Sequence, residues 1–340
     1  MVHIEKKIIL KRLVKAAVIF LRYSTFAKLV NLLKVECERA FKKQVISGRP
    51  YFIKLQPTNI CDAGCKYCLR STKPSSLAVG KMALADCRKA IDKLKKYAYL
   101  IGFQYYGEPL FNDSIFEMIA YAHNSKIGTY LSTNLQNLKN EDYAKLANCG
   151  LDLLTISIDG ITQETYAKYR EKGNLAQVIA NIRGLLEAKR KMHRGSPFIS
   201  LQFIVMKHNQ HEIKAARQLA RELGVDNVEF KPVGTDDKSL LPDNAELYRR
   251  AYRKNAQLKR QPCWWLWGSL VVLWDGHILP CCHIVASKTD LNIFQDDVLS
   301  IINNPFNQEI RKIKNPGILA DVHPCHNCVI PYGNLLQQTL

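Results

Sequence analysis

Three thiols within eight residues, Cys61, Cys65 and Cys68, are the densest chemistry-bearing pattern in the chain. They lie in Thr58-Asn59-Ile60-Cys61-Asp62-Ala63-Gly64-Cys65-Lys66-Tyr67-Cys68, where Gly64 lets the loop turn its sulfurs towards one point. Thiolates are soft ligands suited to iron–sulfur clusters, zinc or Cu(I). A cubane cluster takes four cysteines as a rule. Three leave one iron with an open site, which means chemistry on a bound molecule rather than electron storage. A zinc knuckle or a Cys65/Cys68 redox pair are the plainer readings of the same residues.

A second cysteine group follows late in the chain: Cys263, Cys281, Cys282, Cys325 and Cys328. Ser269–Trp274 and His277–Leu279 read as a hairpin turned by Asp275-Gly276, which brings Cys263 towards Cys281. The Cys325-x2-Cys328 knuckle supplies two more thiolates, completing a four-ligand metal site. Cys282 is left over as an alternative ligand, a spectator or a hydrogen-atom donor. A four-cysteine structural zinc fits the same ligands. Cys37, Cys87 and Cys149 fall on helical stretches, where a buried small hydrophobe is the ordinary reading.

The elements that must position the first loop alternate regularly. Strands are expected at Tyr51–Leu55, Ala98–Tyr105, Gly128–Ser132, Leu151–Ile158, Phe198–Val205 and Asn227–Pro232. Helices are expected at Ala83–Tyr97, Ser114–Asn124, Glu141–Cys149, Leu175–Lys191 and Glu212–Leu223. Such alternation implies parallel strands with right-handed crossovers. Six units fall short of the eight of a closed barrel, so the fold class is α/β, a partial (β/α)6 TIM-like barrel with a small cysteine-rich, hairpin-containing C-terminal domain. Every polar motif falls at the C-terminal end of a strand, where barrel active sites are built. The expected organisation is a basic helical segment over 1–50, the barrel over 51–235, a linker and helix over 236–262, and the cluster domain over 263–340.

The C-x3-C-x2-C spacing, with an aromatic before the last cysteine, resembles the signature of the radical S-adenosylmethionine (radical SAM) superfamily. The resemblance implies a 4Fe–4S cluster on Cys61, Cys65 and Cys68 whose open iron chelates SAM, and reductive cleavage of SAM to a 5′-deoxyadenosyl radical. Carried over by motif, Gly107-Glu108-Pro109 looks like the segment that receives the SAM amino group, although Tyr106 stands where relatives often have a second glycine. Thr133, Asn134 and Ser157 resemble the polar residues near the ribose or carboxylate. Arg170 resembles a carboxylate-pairing arginine, and Tyr67 an adenine neighbour. The late cysteines are similar to SPASM or twitch extensions, implying one auxiliary 4Fe–4S cluster on Cys263, Cys281, Cys325 and Cys328. An electron donor such as flavodoxin or ferredoxin is implied as a partner. The expected reaction is hydrogen abstraction from an unactivated C–H bond of a sugar, glycan, nucleoside, lipid-linked or peptide substrate. The alternatives are a redox-neutral epimerase with a cysteine hydrogen donor and a zinc-stabilised scaffold at a membrane.

Composition bounds the rest. The 340 residues are 47% hydrophobic and 23% charged, an ordinary globular balance. No signal-peptide pattern is visible, so clustered cysteines read as metal ligands in a reducing cytoplasm. Net charge is +19, and residues 1–50 hold twelve Lys/Arg against three Glu. No nucleic-acid-binding module accompanies that charge, and none is expected as a partner. Residues 4–22 read as a basic amphipathic helix that either lies on an anionic membrane, at the inner surface, or packs on the barrel.

Overall fold

The computed structural model describes residues 14–72 (Ala16 apart), 78–233, 237–243, 263–281 and 289–312. The first part of the basic N-terminal helix, most of the 236–262 linker, and Cys282, Cys325 and Cys328 lie outside the described residues.

The strands form one sheet in the order β6-β5-β4-β3-β2-β1-β7-β8. They are β1 (Phe52–Leu55), β2 (Leu100–Phe103), β3 (Gly128–Thr133), β4 (Leu153–Ser157), β5 (Phe198–Val205), β6 (Asn227–Pro232), β7 (Ser269–Val272) and β8 (Ile278–Leu279). Each of β1 to β5 pairs in parallel with its successor. Parallel strands covered by crossover helices read as continuous apolar runs. Leu100–Phe103 and Leu153–Ser157 are buried along their whole length. The helix Leu175–Lys191 shows how the cover is made. Asn174 accepts from the Gln177 N–H at 3.1 Å as its N-cap, and Leu175, Val178, Ile182 and Leu185 are buried on one face at helical spacing.

The sheet departs from the six-strand expectation at the β1 edge. Strand β7 pairs in parallel with β1, Phe52 opposite Ser269 through Leu55 opposite Val272, and β8 returns antiparallel beside it. An unpaired β1 edge would leave a row of free backbone groups; the C-terminal hairpin fills it. The hairpin turn falls where Asp275-Gly276 was expected, with Gly276 at φ +88. A Cβ there would come within 2.2 Å of Asn292 Oδ1, so glycine is required.

The opposite end of the barrel, at the N-terminal ends of the strands, is closed by the N-terminal segment. Residues 17–23 are helical and bury Ile19 and Tyr23, so these turns pack on the barrel. Tyr23 Oη donates to Asp152 Oδ2 at 2.8 Å and lies 3.0 Å from His123 Nδ1. The buried Asp152 carboxylate also accepts from the Thr129 N–H at 3.0 Å. The helix Phe26–Ala40, within the helical segment expected over 1–50, continues along this end, with Cys37 exposed on it rather than buried. Later residues knit to it: Asn303 exchanges two hydrogen bonds with the Ile46 backbone, and Arg311 Nη1 donates to Gln44 O at 3.0 Å.

A hydrogen bond to a buried charge contributes more than a neutral one, so Tyr23→Phe should lower unfolding stability by about 1–2 kcal/mol. A urea titration measures it; an unchanged midpoint would mean that Tyr23 does not latch this segment.

Candidate active site

The cysteine loop leaves β1 and is held from both sides. Thr58 Oγ1 donates to Gly80 O at 2.7 Å, and Asn59 Oδ1 accepts from the Gly80 N–H at 3.0 Å. Gly64 turns the loop at φ +57. On the far side a short antiparallel bridge joins Cys65 to Arg170. The Lys66 N–H donates to Tyr169 O at 3.0 Å and the Lys172 N–H to Ala63 O at 3.1 Å.

Arg170 is buried, and its fork is divided between two partners. Nε and Nη2 reach Asp159 Oδ2 at 2.8 and 2.7 Å, while Nη1 points at Cys65 Sγ, 3.6 Å away. Asp159 is fully buried and accepts the Ile204 N–H at 2.7 Å through its other oxygen. Its carbonyl accepts from Asn209 Nδ2 at 3.0 Å, tying the end of β4 to the turn after β5. Burial pushes the Cys65 thiol up, and Arg170 works against that shift. A desolvated thiol becomes a thiolate when a cation supplies the missing charge, as a metal does.

The Gly107-Glu108-Pro109 motif has a clear local cause. Gly107 sits at φ +131, and a Cβ would lie 2.1 Å from Thr58 O, so only glycine lets β2 approach the cysteine loop. The Glu108 N–H donates to Ile60 O at 2.7 Å. Its side chain caps the turn Pro109–Phe111, accepting from the Leu110 N–H at 3.2 Å, with Pro109 at the first turn position. The same carboxylate accepts Thr133 Oγ1 at 2.6 Å and the Asn134 N–H at 2.7 Å. Burial raises the Glu108 carboxyl to about 7, opposed by these donors.

Thr133 and Asn134 therefore hold protein groups. Asn134 Nδ2 donates to Asp62 Oδ1 at 2.8 Å, and Asp62 Oδ2 accepts from Gln136 Nε2 at 3.0 Å and Asn137 Nδ2 at 2.7 Å. Asp62, Gln136 and Asn137 were missed from the sequence. The amide run Asn134, Gln136, Asn137 directly after a strand was the available signal. Ser157 is buried at the end of β4, opposite Gln202. Tyr67 is 37% exposed and stacks on Tyr169, with ring centroids 6.4 Å apart.

The donor types suit an iron–sulfur cluster. Cys61, Cys65 and Cys68 lie on one loop and none is in a disulfide, and a guanidinium beside one sulfur suits a thiolate. Among the described residues, however, no three Cys, His, Asp or Glu side chains are drawn close enough together to hold a metal ion. Of the second group, half-buried Cys263 precedes the helix Trp265–Gly268, and buried Cys281 follows β8. Leu279 lies opposite Val271, so the returning strand carries Cys281 back towards the start of β7, on the side that Cys263 enters. Cys325 and Cys328 lie outside the described residues.

Removing the Asp62 acceptor strands the buried Asn134 amide, at about 1–3 kcal/mol, and frees the half-buried Gln136 and exposed Asn137 amides from the loop. Asp62→Ala should lower the iron retained after anaerobic reconstitution, and Asp62→Asn should restore part of it. Full iron retention in Asp62→Ala would show that the loop does not depend on this clamp.

Comparison with known proteins fits this geometry. Residues 55–220 match the radical SAM superfamily, and residues 263–329 match the SPASM iron–sulfur cluster-binding domain. The AdoMet-dependent heme synthase of Methanosarcina barkeri is 29% identical over 180 residues, 53% of this chain and 49% of its own length. The mycofactocin maturase MftC of Mycobacterium ulcerans is 26% identical over 179 residues, 52% and 45% of the two chains. The matches thus span about half the length of these relatives. In fold, the chain is similar to Streptococcus suis SuiB bound to S-adenosylmethionine, with a TM-score of 0.64 at 15% identity, covering 80% of this chain and 69% of that one. Among the described residues, no helix is long and apolar enough to cross a membrane. With three cysteines on one loop at the mouth of an open parallel barrel and both matches in one chain, the protein belongs to the radical SAM superfamily and carries a C-terminal SPASM iron–sulfur cluster-binding domain, which implies 4Fe–4S clusters and S-adenosylmethionine as cofactors.

Proposed function

We propose that the protein cleaves S-adenosylmethionine reductively at Cys61, Cys65 and Cys68 and abstracts hydrogen from an unactivated C–H bond, with net oxidation of its substrate. The observation that carries this reading is the three-thiol loop pinned by Arg170 on one side and Asp62 on the other, beside the buried Glu108 carboxylate. When bound, the cluster supplies the electron that splits SAM into methionine and a 5′-deoxyadenosyl radical.

The chain's own residues bind and orient. Glu108 accepts two donors at Oε1 and one at Oε2, and a carboxylate oxygen carries two lone pairs. Its remaining acceptor position receives an N–H of the SAM amino group. Thr133 and Asn134 act as positioning residues that fix this carboxylate. Arg170 holds Cys65 and the loop, which leaves the SAM carboxylate to other donors at the mouth, Ser157 among them. Tyr67 and Tyr169 flank the adenine. Residues 51–235 form the barrel, 236–262 the linker and 263–340 the cluster domain, where Cys263, Cys281, Cys325 and Cys328 would hold an auxiliary cluster, which would supply an acceptor for the electron lost by the substrate. A cytoplasmic flavodoxin or ferredoxin would be the electron donor.

The relatives are named for heme synthesis, GTP cyclisation and mycofactocin maturation, and one SuiB structure holds its precursor peptide. The substrate classes to test are accordingly peptides, nucleosides, sugars and lipid-linked glycans.

Changing Cys61, Cys65 and Cys68 together to Ala should abolish 5′-deoxyadenosine formation and remove about half the iron, since two cubanes divide it evenly. Formation of 5′-deoxyadenosine by the triple variant under reducing conditions would reject the reading. Deuterium uptake at carbon in heavy water would replace oxidation by epimerisation with a thiol donor.

Glu108→Gln would set an NH2 group against either the Thr133 or the Asn134 donor and weaken SAM binding roughly 10-fold or more. Because the ionised carboxylate is the stronger acceptor for the amino N–H, affinity for SAM should rise with pH through about 7. Isothermal titration of the reconstituted protein across this range checks both; a flat profile would remove Glu108 from the amino-group site.

A further inference from the structure

The helix Phe26–Ala40 is amphipathic the wrong way round. Its buried residues are Lys28, Asn31, Val35 and Glu38, three of them polar. The opposite face carries Phe26 at 83% exposure and Leu33 at 67%, with Leu29 and Val30 beside them and Phe41 just beyond the helix end. Spacings of three and four residues make this one continuous stripe. The preceding helical turns add exposed Val14, Val18 and Leu21.

The inversion is specified by matched partners. Lys28 Nζ donates to Lys126 O at 2.5 Å. Asn31 exchanges two hydrogen bonds with the Arg49 backbone. Glu38 accepts the Ser47 N–H and Oγ and the Gly48 N–H. These polar groups grip the barrel end, and the apolar face is turned outward as a consequence. Contiguous exposed apolar surface of this kind marks an interaction site.

We propose that this face docks the enzyme on an anionic lipid surface. The charge around the stripe selects that partner. Residues 1–50 contain twelve Lys/Arg, three Glu and no Asp. Lys34, Lys42 and Lys43 are exposed beside the stripe. Of the acids, Glu38 points inward and Glu36 is engaged by Arg39 and by Tyr51 Oη. An apolar stripe flanked by basic residues is what an interfacial helix presents to anionic headgroups. A second copy of this chain is disfavoured, because pairing the faces would set two strongly positive segments against each other. The face lies at the N-terminal ends of the strands, so docking leaves the cysteine loop at the far end of the barrel, open to water. The proposal does not depend on the assigned reaction.

Full-length protein should co-sediment with phosphatidylcholine vesicles containing phosphatidylglycerol at low salt, poorly with phosphatidylcholine alone, and be released by added salt. Phe26→Glu with Leu33→Glu should weaken binding by about tenfold for each side chain lost, leaving thermal unfolding and 5′-deoxyadenosine formation unchanged. Phe26→Ser with Leu33→Ser, which adds no charge, should also weaken it. Absence of sedimentation, equal binding to both vesicle types, or full binding by the serine variant would overturn the proposal. So would a dimer in solution that either double variant dissociates, which would give the face to a second copy.

Discussion

The buried guanidinium of Arg170 is the interaction on which the site depends. Burial works against its charge, and Asp159 and Cys65 more than restore it. Removing one partner from a buried ion pair costs about 3–5 kcal/mol, because the other charge is left without compensation. Here the pair does more than stabilise. Asp159 is the second residue after β4 and its other oxygen is fixed by Ile204 on β5. Arg170 therefore transfers the position of two adjacent strands to the sulfur of Cys65.

Asp62 does for the β3 end what Arg170 does for β4. One carboxylate gathers three amides, so the cysteine loop spans the mouth between two fixed supports. The third support comes from the C-terminal module. Gln56 on the chain entering the loop donates to Tyr106 O at 2.6 Å and accepts from the Trp274 N–H at 3.3 Å, while the Trp274 ring packs on Gly80. The turn of the hairpin thus braces the loop that carries the first three thiols, while β8 carries Cys281 back towards the other end of the sheet.

Much of this was legible in the sequence. The strands Phe198–Val205 and Asn227–Pro232 and the helix Leu175–Lys191 fall where alternation and periodicity put them, because each has one face or both committed to the core. The three thiols and Gly107-Glu108-Pro109 were legible because metal ligation and close backbone approach restrict residue type. Three things were not. The docking of β7 on β1 depends on an edge whose partner lies far along the chain, and no local pattern encodes that. The helix Phe26–Ala40 carries its apolar residues on the face turned away from the core. The protein partners of Thr133, Asn134 and Arg170, namely Glu108, Asp62 and Asp159, were not legible either, since a hydrogen-bonding residue does not announce its partner.

The pairing of β1 with β7 also bears on how the chain emerges during synthesis. Phe52–Leu55 leaves the ribosome early, and Ser269–Val272 completes its edge only after the whole barrel has been made. The bonds from Asn303 and Arg311 to residues 44–46 arrive later still. Until then the nascent barrel carries an open strand edge beside the cysteine loop, the kind of edge that invites mispairing. Cluster assembly before release of the C-terminal module would act on a loop still lacking its Trp274 support, so the order of translation favours metal insertion after the last strand has docked.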